Sequence, residues 1–247
     1  MPGALQDKVA VVTGSSSGIG AATVRALAAQ GARVVVNSSR SEEAGRALAA
    51  EVPDASYVRA DIADEAQARA LVDEAVAVHG RLDVLVNNAG TTAVIPHGDL
   101  DAASPAVWRR IFDVNVIGTW QVTVAAVPHL RAAGDAAVVN VSSIAGHRPT
   151  GSSIPYAASK AALSHMTALL ANVLAPAIRV NAVAPGLVDT PWTATPEWDV
   201  VRSFVHAQAP LQRSATPEDV ARVILGLVTA DYVTGEVVLV DGGLHLR

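Results

Sequence analysis

Val9-Ala10-Val11-Val12-Thr13-Gly14-Ser15-Ser16-Ser17-Gly18-Ile19-Gly20 runs from an unbroken apolar stretch into a Gly/Ser turn and then into an Ala-rich segment. Apolar residues at consecutive positions, without alternation, are expected of a strand covered on both faces. Glycines after such a strand let the backbone approach a bound pyrophosphate, which the next helix N-terminus also attracts. A Gly/Ser turn before a helix is common, so the motif alone decides little. The rest of the chain repeats the pattern. Strands are predicted at Val9–Thr13, Arg33–Asn37, Ser56–Ala60, Leu82–Asn87, Ala136–Val141, Ile178–Val183 and Glu236–Val240. Helices are predicted at Ile19–Gln30, Glu42–Glu51, Glu65–His79, Ser104–Arg131, Pro155–Leu174 and Pro217–Thr229. This order predicts an α/β fold: one doubly wound parallel sheet with helices on both faces, in a single domain over 1–247.

Composition narrows the function. The 247 residues are 51% hydrophobic and 17% charged, which suits a packed core rather than disorder. A net charge of −5 gives no electrostatic reason to expect nucleic acid or an anionic membrane as partner. Cysteine is absent, which excludes disulfides, thiolate metal sites and a thiol nucleophile. The seven histidines form no His-Glu-x-x-His or similar spacing, so no metal site is expected. The first residues lack the basic and apolar regions of a signal peptide, and no run of eighteen apolar residues is present. A cytoplasmic protein without a membrane span is the expectation.

Four further places in the chain carry chemistry. Tyr156-Ala-Ala-Ser-Lys160 opens an apolar helix, and residues four apart share one helix face. An unperturbed tyrosine has a pKa of about 10, too high for efficient general-base work near neutrality. A nearby ammonium is expected to lower it. Ser143 follows the apolar run Ala136–Val141, where a strand end would deliver its hydroxyl beside the tyrosine. Asn87-Asn88-Ala89-Gly90 and Pro185-Gly186-Leu187-Val188-Asp189-Thr190 also follow predicted strands, at the edge where doubly wound sheets form ligand crevices. An acyl-transfer role for Ser143 would need a histidine base and an acidic orienter, and no Gly-x-Ser-x-Gly elbow surrounds it.

With these elements the chain resembles the short-chain dehydrogenase/reductase family over essentially its whole length, nearest to 3-oxoacyl thioester reductases. The matching motifs are Thr13–Gly20, Asp61, Asn87–Gly90, Asn115, Ser142-Ser143, Tyr156–Lys160, Pro185-Gly186 with Thr190, and Asp241-Gly-Gly243. The resemblance implies a seven-stranded Rossmann-type sheet and hydride transfer between a nicotinamide and a carbonyl or alcohol carbon. It implies that Tyr156 exchanges a proton with substrate oxygen and that Ser143, favoured over Ser142 by its spacing, hydrogen-bonds that oxygen. Lys160 would hold the nicotinamide ribose, and Asn115 a water linking Lys160 to solvent. Gly14, Ser16, Ser17, Gly18, Ile19 and Gly20 are expected at the pyrophosphate, Asp61 and Ile62 at adenine. Asn87, Ala89 and Gly90 are expected at the adenine-side ribose and nearby backbone. Val188 and Thr190, after Pro185 and Gly186, are expected at the carboxamide.

Cofactor choice turns on Asn37-Ser38-Ser39-Arg40, which ends the second predicted strand. An NAD-specific site usually places Asp or Glu there, which repels a 2′-phosphate. Asn37 is uncharged and Arg40 offers a charge-assisted contact, so NADP(H) is favoured, with NAD(H) the alternative. Ser17, where many NADP-using relatives carry Arg or Lys, argues the other way. The segment 187–213, with Trp192, Trp198 and Phe204, is the expected substrate lid. Ile144, His147 and Trp192 are expected to touch substrate. The scarcity of basic residues near the mouth argues for a small free ketone or secondary alcohol rather than a carrier-bound thioester. Ala157–Ala175 carries Lys160 and no acid, which suits burial in a homotetramer. A non-catalytic dinucleotide sensor on the same fold is the rival reading. Such a protein would have little need of the Asn115, Ser143, Tyr156, Lys160 set.

Overall fold

The computed structural model describes residues 3–247. Seven parallel strands form one sheet: β1 (Val9–Val12), β2 (Arg33–Ser38), β3 (Ser56–Arg59), β4 (Val84–Asn87), β5 (Ala136–Val141), β6 (Ile178–Pro185) and β7 (Val237–Val240). Their order across the sheet is β3-β2-β1-β4-β5-β6-β7. The helices are α1 (Gly18–Ala28), α2 (Glu42–Glu51), α3 (Glu65–His79), α4 (Pro105–Phe112), α5 (Thr119–Ala133), α6 (Ile154–Leu174), α7 (Asp199–Gln208) and α8 (Pro217–Thr229).

The unalternating strands have the cause expected of them. Val9 and Val11 of β1 pack into a core shared with α3, α5 and α6. Ala10 and Val12 face the opposite core, shared with α1, α2 and α8. Both sheet faces are therefore covered, and β1, β4 and β5 are buried along their whole length. At the lower end of β1, the buried Asp83 accepts a 2.9 Å bond from the Val9 amide. Lys8 and Arg81 balance its charge. Arg81, the Val9 amide and Lys8 hold the Asp83 carboxyl below its ordinary range against the opposing effect of burial.

Two differences from the sequence reading matter for the site. The helix predicted over Ser104–Arg131 is interrupted by a π-helical segment, Asp113–Gly118, between α4 and α5. Gly118 lies so close to Ile62 that a Cβ there would sit 2.8 Å from Ile62 Cγ1. Through this break the stretch Pro105–Ala133 is, by length and a hydropathy of 1.2, long and apolar enough to cross a membrane. Its inner face is instead spent on the sheet: Val122, Ala126 and Leu130 are fully buried in the core with α3. The second difference is α7, an extra helix inside the segment read only as a lid. Two short 3-10 turns, Pro191–Thr193 and Pro196–Trp198, lead into it.

Candidate active site

The C-terminal ends of the strands open onto a cleft of about 900 Å³. At one end the β1–α1 turn is built for an anion. Gly14 and Gly18 take φ values of +59° and +55°, which side chains disfavour. Ser17 caps α1 without a side-chain bond to the first-turn amides, so those amides stay free for a ligand. Thr13 and Asn88 brace the turn: Thr13 Oγ1 accepts from the amides of Asn88 and Ala89 at 3.0 and 3.1 Å. Asn88 Nδ2 donates to Thr13 O and Gly14 O at 2.9 and 2.8 Å. Gly20 lies behind the cleft, where a Cβ would be 2.6 Å from Asn88 Nδ2, so its part is close packing of helix on strand. These features fit the pyrophosphate of a dinucleotide.

Most of the residues named from sequence line this cleft: Gly14, Ser16–Ile19, Asn37–Arg40, Asp61, Ile62, Ala89, Gly90, Ser143, Ile144, Tyr156, Lys160, Pro185, Gly186, Val188, Thr190 and Trp192. Four do not reach it as expected. Asn87 is turned the other way, its Nδ2 bonding Thr123 Oγ1 at 3.0 Å and Asn140 Oδ1 at 2.9 Å beneath the sheet. That follows from period two: Asn87 is the last residue of β4 and shares the face of Leu85. His147 bonds Ser164 on α6 at 3.0 Å, because the 3-10 turn Ile144–Gly146 carries it away from the opening. Gly20 is placed as described above. Asn115, finally, is fully buried behind the cleft wall. It accepts from the Thr91 amide at 2.8 Å and donates to Thr91 O and Ser159 Oγ, both at 3.0 Å. Its amide thus fixes the wall and, through the 2.7 Å bond from Ser159 to Tyr156 O, the turn of α6 that carries the tyrosine.

Asn37 and Ser38 line the cleft but spend their polar atoms inward. Asn37 accepts from Gly14 N at 3.1 Å and donates to Val58 O and Ala60 O at 3.2 and 3.1 Å. Ser38 Oγ pairs with Tyr57 at 2.9 Å. Arg40 is exposed at the rim, with no ion pair among the described residues.

The centre of the cleft brings Ser143, Tyr156 and Lys160 together. The Ile144–Gly146 turn is pressed onto α6, where a Cβ on Gly146 would sit 2.7 Å from the Lys160 backbone. Ser143 Oγ accepts from Ala145 N at 3.2 Å and lines the cleft together with Tyr156. Lys160 Nζ donates to Val141 O at 2.8 Å and lies 5.7 Å from the Tyr156 ring centroid. Trp192 meets the tyrosine edge-on, centroids 6.4 Å apart. Burial pushes the Tyr156 phenol up, with Ser143 opposing, and lowers Lys160 to about 8. Burial thus opposes the phenolate that the sequence leads one to expect.

The family comparison agrees with this geometry. Residues 14–245 match the model described as enoyl-(acyl carrier protein) reductase. The chain belongs to the short-chain dehydrogenase/reductase family. It is 62% identical, over 96% of each chain, to a Streptomyces violaceoruber protein assigned as ketoacyl reductase 2 of the granaticin polyketide synthase. It is 43% identical, over 97% of each chain, to the cis-4-hydroxycyclohexanecarboxylate dehydrogenase of Sinomonas cyclohexanicum. The crystal structure of a 3-ketoacyl-(acyl-carrier-protein) reductase from Brucella melitensis, complexed with NADH, superposes with a TM-score of 0.90. That structure is 34% identical, the match covering 97% of this chain and 99% of the other. This short-chain dehydrogenase/reductase is an oxidoreductase acting on carbonyl or alcohol groups, with a cleft that fits a nicotinamide dinucleotide.

Sequence reasoning missed the outer wall of the substrate end. Thr92, Ile95, Arg110 and Ser152 line it, as does Leu244 near the C-terminal end. None carries a local motif; loop folding alone collects them.

The pKa of Lys160 has a measurable consequence. Its folded value, about 8, lies below the ordinary lysine value of about 10.4. Below pH 8 both folded and unfolded chains hold the proton and the burial cost is present in full. Between pH 8 and 10 the folded chain sheds it first, so stability rises with pH. Denaturant unfolding should show wild type gaining about 2–3 kcal/mol over that interval relative to Lys160→Met. Parallel pH profiles for the two proteins would mean that Lys160 titrates normally.

Proposed function

We propose that this protein is an NADPH-dependent ketoreductase that converts the ketone of a small, largely apolar substrate into a secondary alcohol. The observation that carries the reading is the half-buried Ser143–Tyr156 pair lining a cleft that continues onto an anion-binding turn. Bound nicotinamide supplies a hydride to the carbonyl carbon. The chain's own work lies on the oxygen. A phenol whose pKa burial has raised is protonated at neutral pH, which suits Tyr156 as the acid that delivers a proton to that oxygen. Ser143 takes the Ala145 amide on its lone pair, so its hydroxyl proton is free for the same oxygen. Two donors placed in advance lower the cost of the negative charge developing there. Lys160, when protonated, favours the phenolate left after transfer.

NADPH is preferred on charge. No carboxylate occupies the Asn37 position, and the next acid along the sequence, Glu42, is paired with Arg46 and Arg59. Arg40 is left as a free cation at the rim for a 2′-phosphate, with Ser39 beside it. Residues 187–213 act as the lid: Trp192, Trp198, Val201 and Phe204 give the substrate end an apolar side. A second reading, reduction of a 3-oxoacyl thioester, is supported by the ketoacyl reductase named at 62% identity. A homotetramer follows from unpartnered apolar surface. Ile117, Trp120 and Val124 are 43–46% exposed on the π segment and α5, and Leu169 and Val173 are 56% and 63% exposed on α6. β7 is the sheet's half-buried edge strand.

Three measurements test these proposals. Tyr156→Phe should lower kcat by about 10²–10⁴ while leaving dinucleotide affinity within a few-fold of wild type. Near-normal turnover would sink the acid role. For one substrate, kcat/KM should favour NADPH over NADH. Arg40→Ala should cost about 10- to 100-fold with NADPH and nothing with NADH; equal losses with both would remove Arg40 from cofactor choice. Light scattering should give four times the 25.3 kDa chain mass, and a monomer at micromolar concentration would refute the assembly.

A further inference from the structure

The substrate end of the cleft has two unlike sides. One is the apolar lid with Trp192, Trp198 and Phe204. The other is a polar wall where the loop after β4 is zipped to the loop before α6. Ile95 N donates to Ser152 O at 2.7 Å, Thr92 Oγ1 and Ser152 Oγ lie 2.5 Å apart, and His97 Nε2 contacts Gly151 O at 3.1 Å. Arg110 of α4 reaches over this wall. Its Nη2 donates to Thr92 O at 3.3 Å and its side chain lines the cleft. A backbone oxygen occupies one of its five donor positions, and no carboxylate lies within ion-pairing distance among the described residues.

An ordinary solvated helix arginine is what Arg109 offers: it is exposed, unpaired and outside the cleft. Arg110 is exposed as well and differs by its position on the cleft wall. Apart from Lys160 at the reacting centre, it is the permanent cation on the substrate half of the cleft, and low-dielectric walls focus such a charge on whatever enters. Glu197, the acid on that half, sits on the exposed lid turn, where it accepts from Thr195 Oγ1 at 3.1 Å. It leaves the guanidinium uncompensated. A planar fork of this kind suits the oxygens of a carboxylate or a phosphate.

We propose that Arg110 is a specificity residue that recognises an anionic group, a carboxylate or a phosphate, on the substrate, remote from the ketone that is reduced. This rests on the reading of the cleft as a ketone-reducing site. It assigns the substrate an apolar body against the lid and a negative end at the polar wall.

Two matched pairs of ketones test it, with the nicotinamide oxidised as readout: 4-oxocyclohexanecarboxylate against its methyl ester, and acetoacetyl-coenzyme A against the phosphate-free acetoacetyl-N-acetylcysteamine thioester. In at least one pair, wild-type kcat/KM should favour the anionic member by about tenfold, the size of one charge-assisted contact. Arg110→Gln should abolish that preference through KM and leave the neutral member within about twofold, as one lost contact to an absent charge predicts. Arg109→Gln should change neither. A preference in the first pair assigns a carboxylate, in the second a phosphate. Equal rates for both members of both pairs, or equal losses in Arg110→Gln, would overturn the role of Arg110 while leaving ketone reduction standing. Reduction of none of the four would instead remove the ketoreductase reading and this one with it.

Discussion

The pairing of β1 with β4 is the constraint on which the site depends. β1 joins β2 on one side and β4 on the other, all parallel, with Ala10 opposite Val84 and Val12 opposite Val86. The chain leaves β1 through α1 on one face of the sheet and enters β4 from α3 on the other. Loops after neighbouring strands then part, and a crevice opens where the direction of winding changes. Asp83 fixes the register from below through the Val9 amide, and Thr13 with Asn88 fixes it from above. The glycine turn can therefore hold free, inward-facing amides without collapsing onto them. Its positive φ angles fall at Gly14 and Gly18, where the lack of a side chain removes the steric penalty.

Burial governs the chemistry placed on that frame. Lys160 is held inside the protein with a carbonyl as its partner rather than an acid, and Tyr156 stands half-buried beside it on the cleft wall. Each group is pushed toward its neutral form, and a protonated phenol is the form that a carbonyl reduction consumes. A carboxylate beside Lys160 would have stabilised its charge, but would also have opposed the negative charge that develops on substrate oxygen. The buried Asn115 amide completes the arrangement with neutral bonds. It joins the Gly90–Thr91 wall to α6 and adds no charge to the centre.

Residues whose partners lie in their own strand or helix were legible from sequence. All seven strands fall within two residues of their predicted bounds, since each is an apolar run covered on both faces. Tyr156 and Lys160 share a helix face by spacing alone. What escaped was decided by distant partners. Nothing in Asp113-Val-Asn-Val-Ile-Gly118 signals a π segment; the bonds of Asn115 to Thr91 and Ser159 and the contact of Gly118 with Ile62 sit there in space. His147 follows a strand, as a substrate residue would, yet a three-residue turn is enough to aim it at Ser164. Asn37 reads from sequence as an uncharged position at the cofactor, whereas its amide is consumed by Gly14, Val58 and Ala60. Helix α7 was masked by the prolines before it and by the half-exposed apolar residues it carries.

The two halves of the cleft are made differently, and that difference explains where specificity can reside. The dinucleotide half is assembled from strand ends, whose positions the sheet dictates, so its motifs keep fixed places along the chain. The substrate half draws on the loop after β4, on α4, on the loop before α6 and on the segment after β6. No sheet register fixes these relative to one another; they are tied by a few side-chain and backbone bonds, such as Thr92 to Ser152 and Arg110 to Thr92. Such a wall can change its charge or shape without disturbing the strands beneath it. The segment after β6 touches both halves: Thr190 lies against Gly18, where a Cβ would be 3.2 Å from Thr190 Cγ2, and Trp192 lies edge-on to Tyr156. A displacement of that segment must therefore alter the pyrophosphate turn and the reacting centre together.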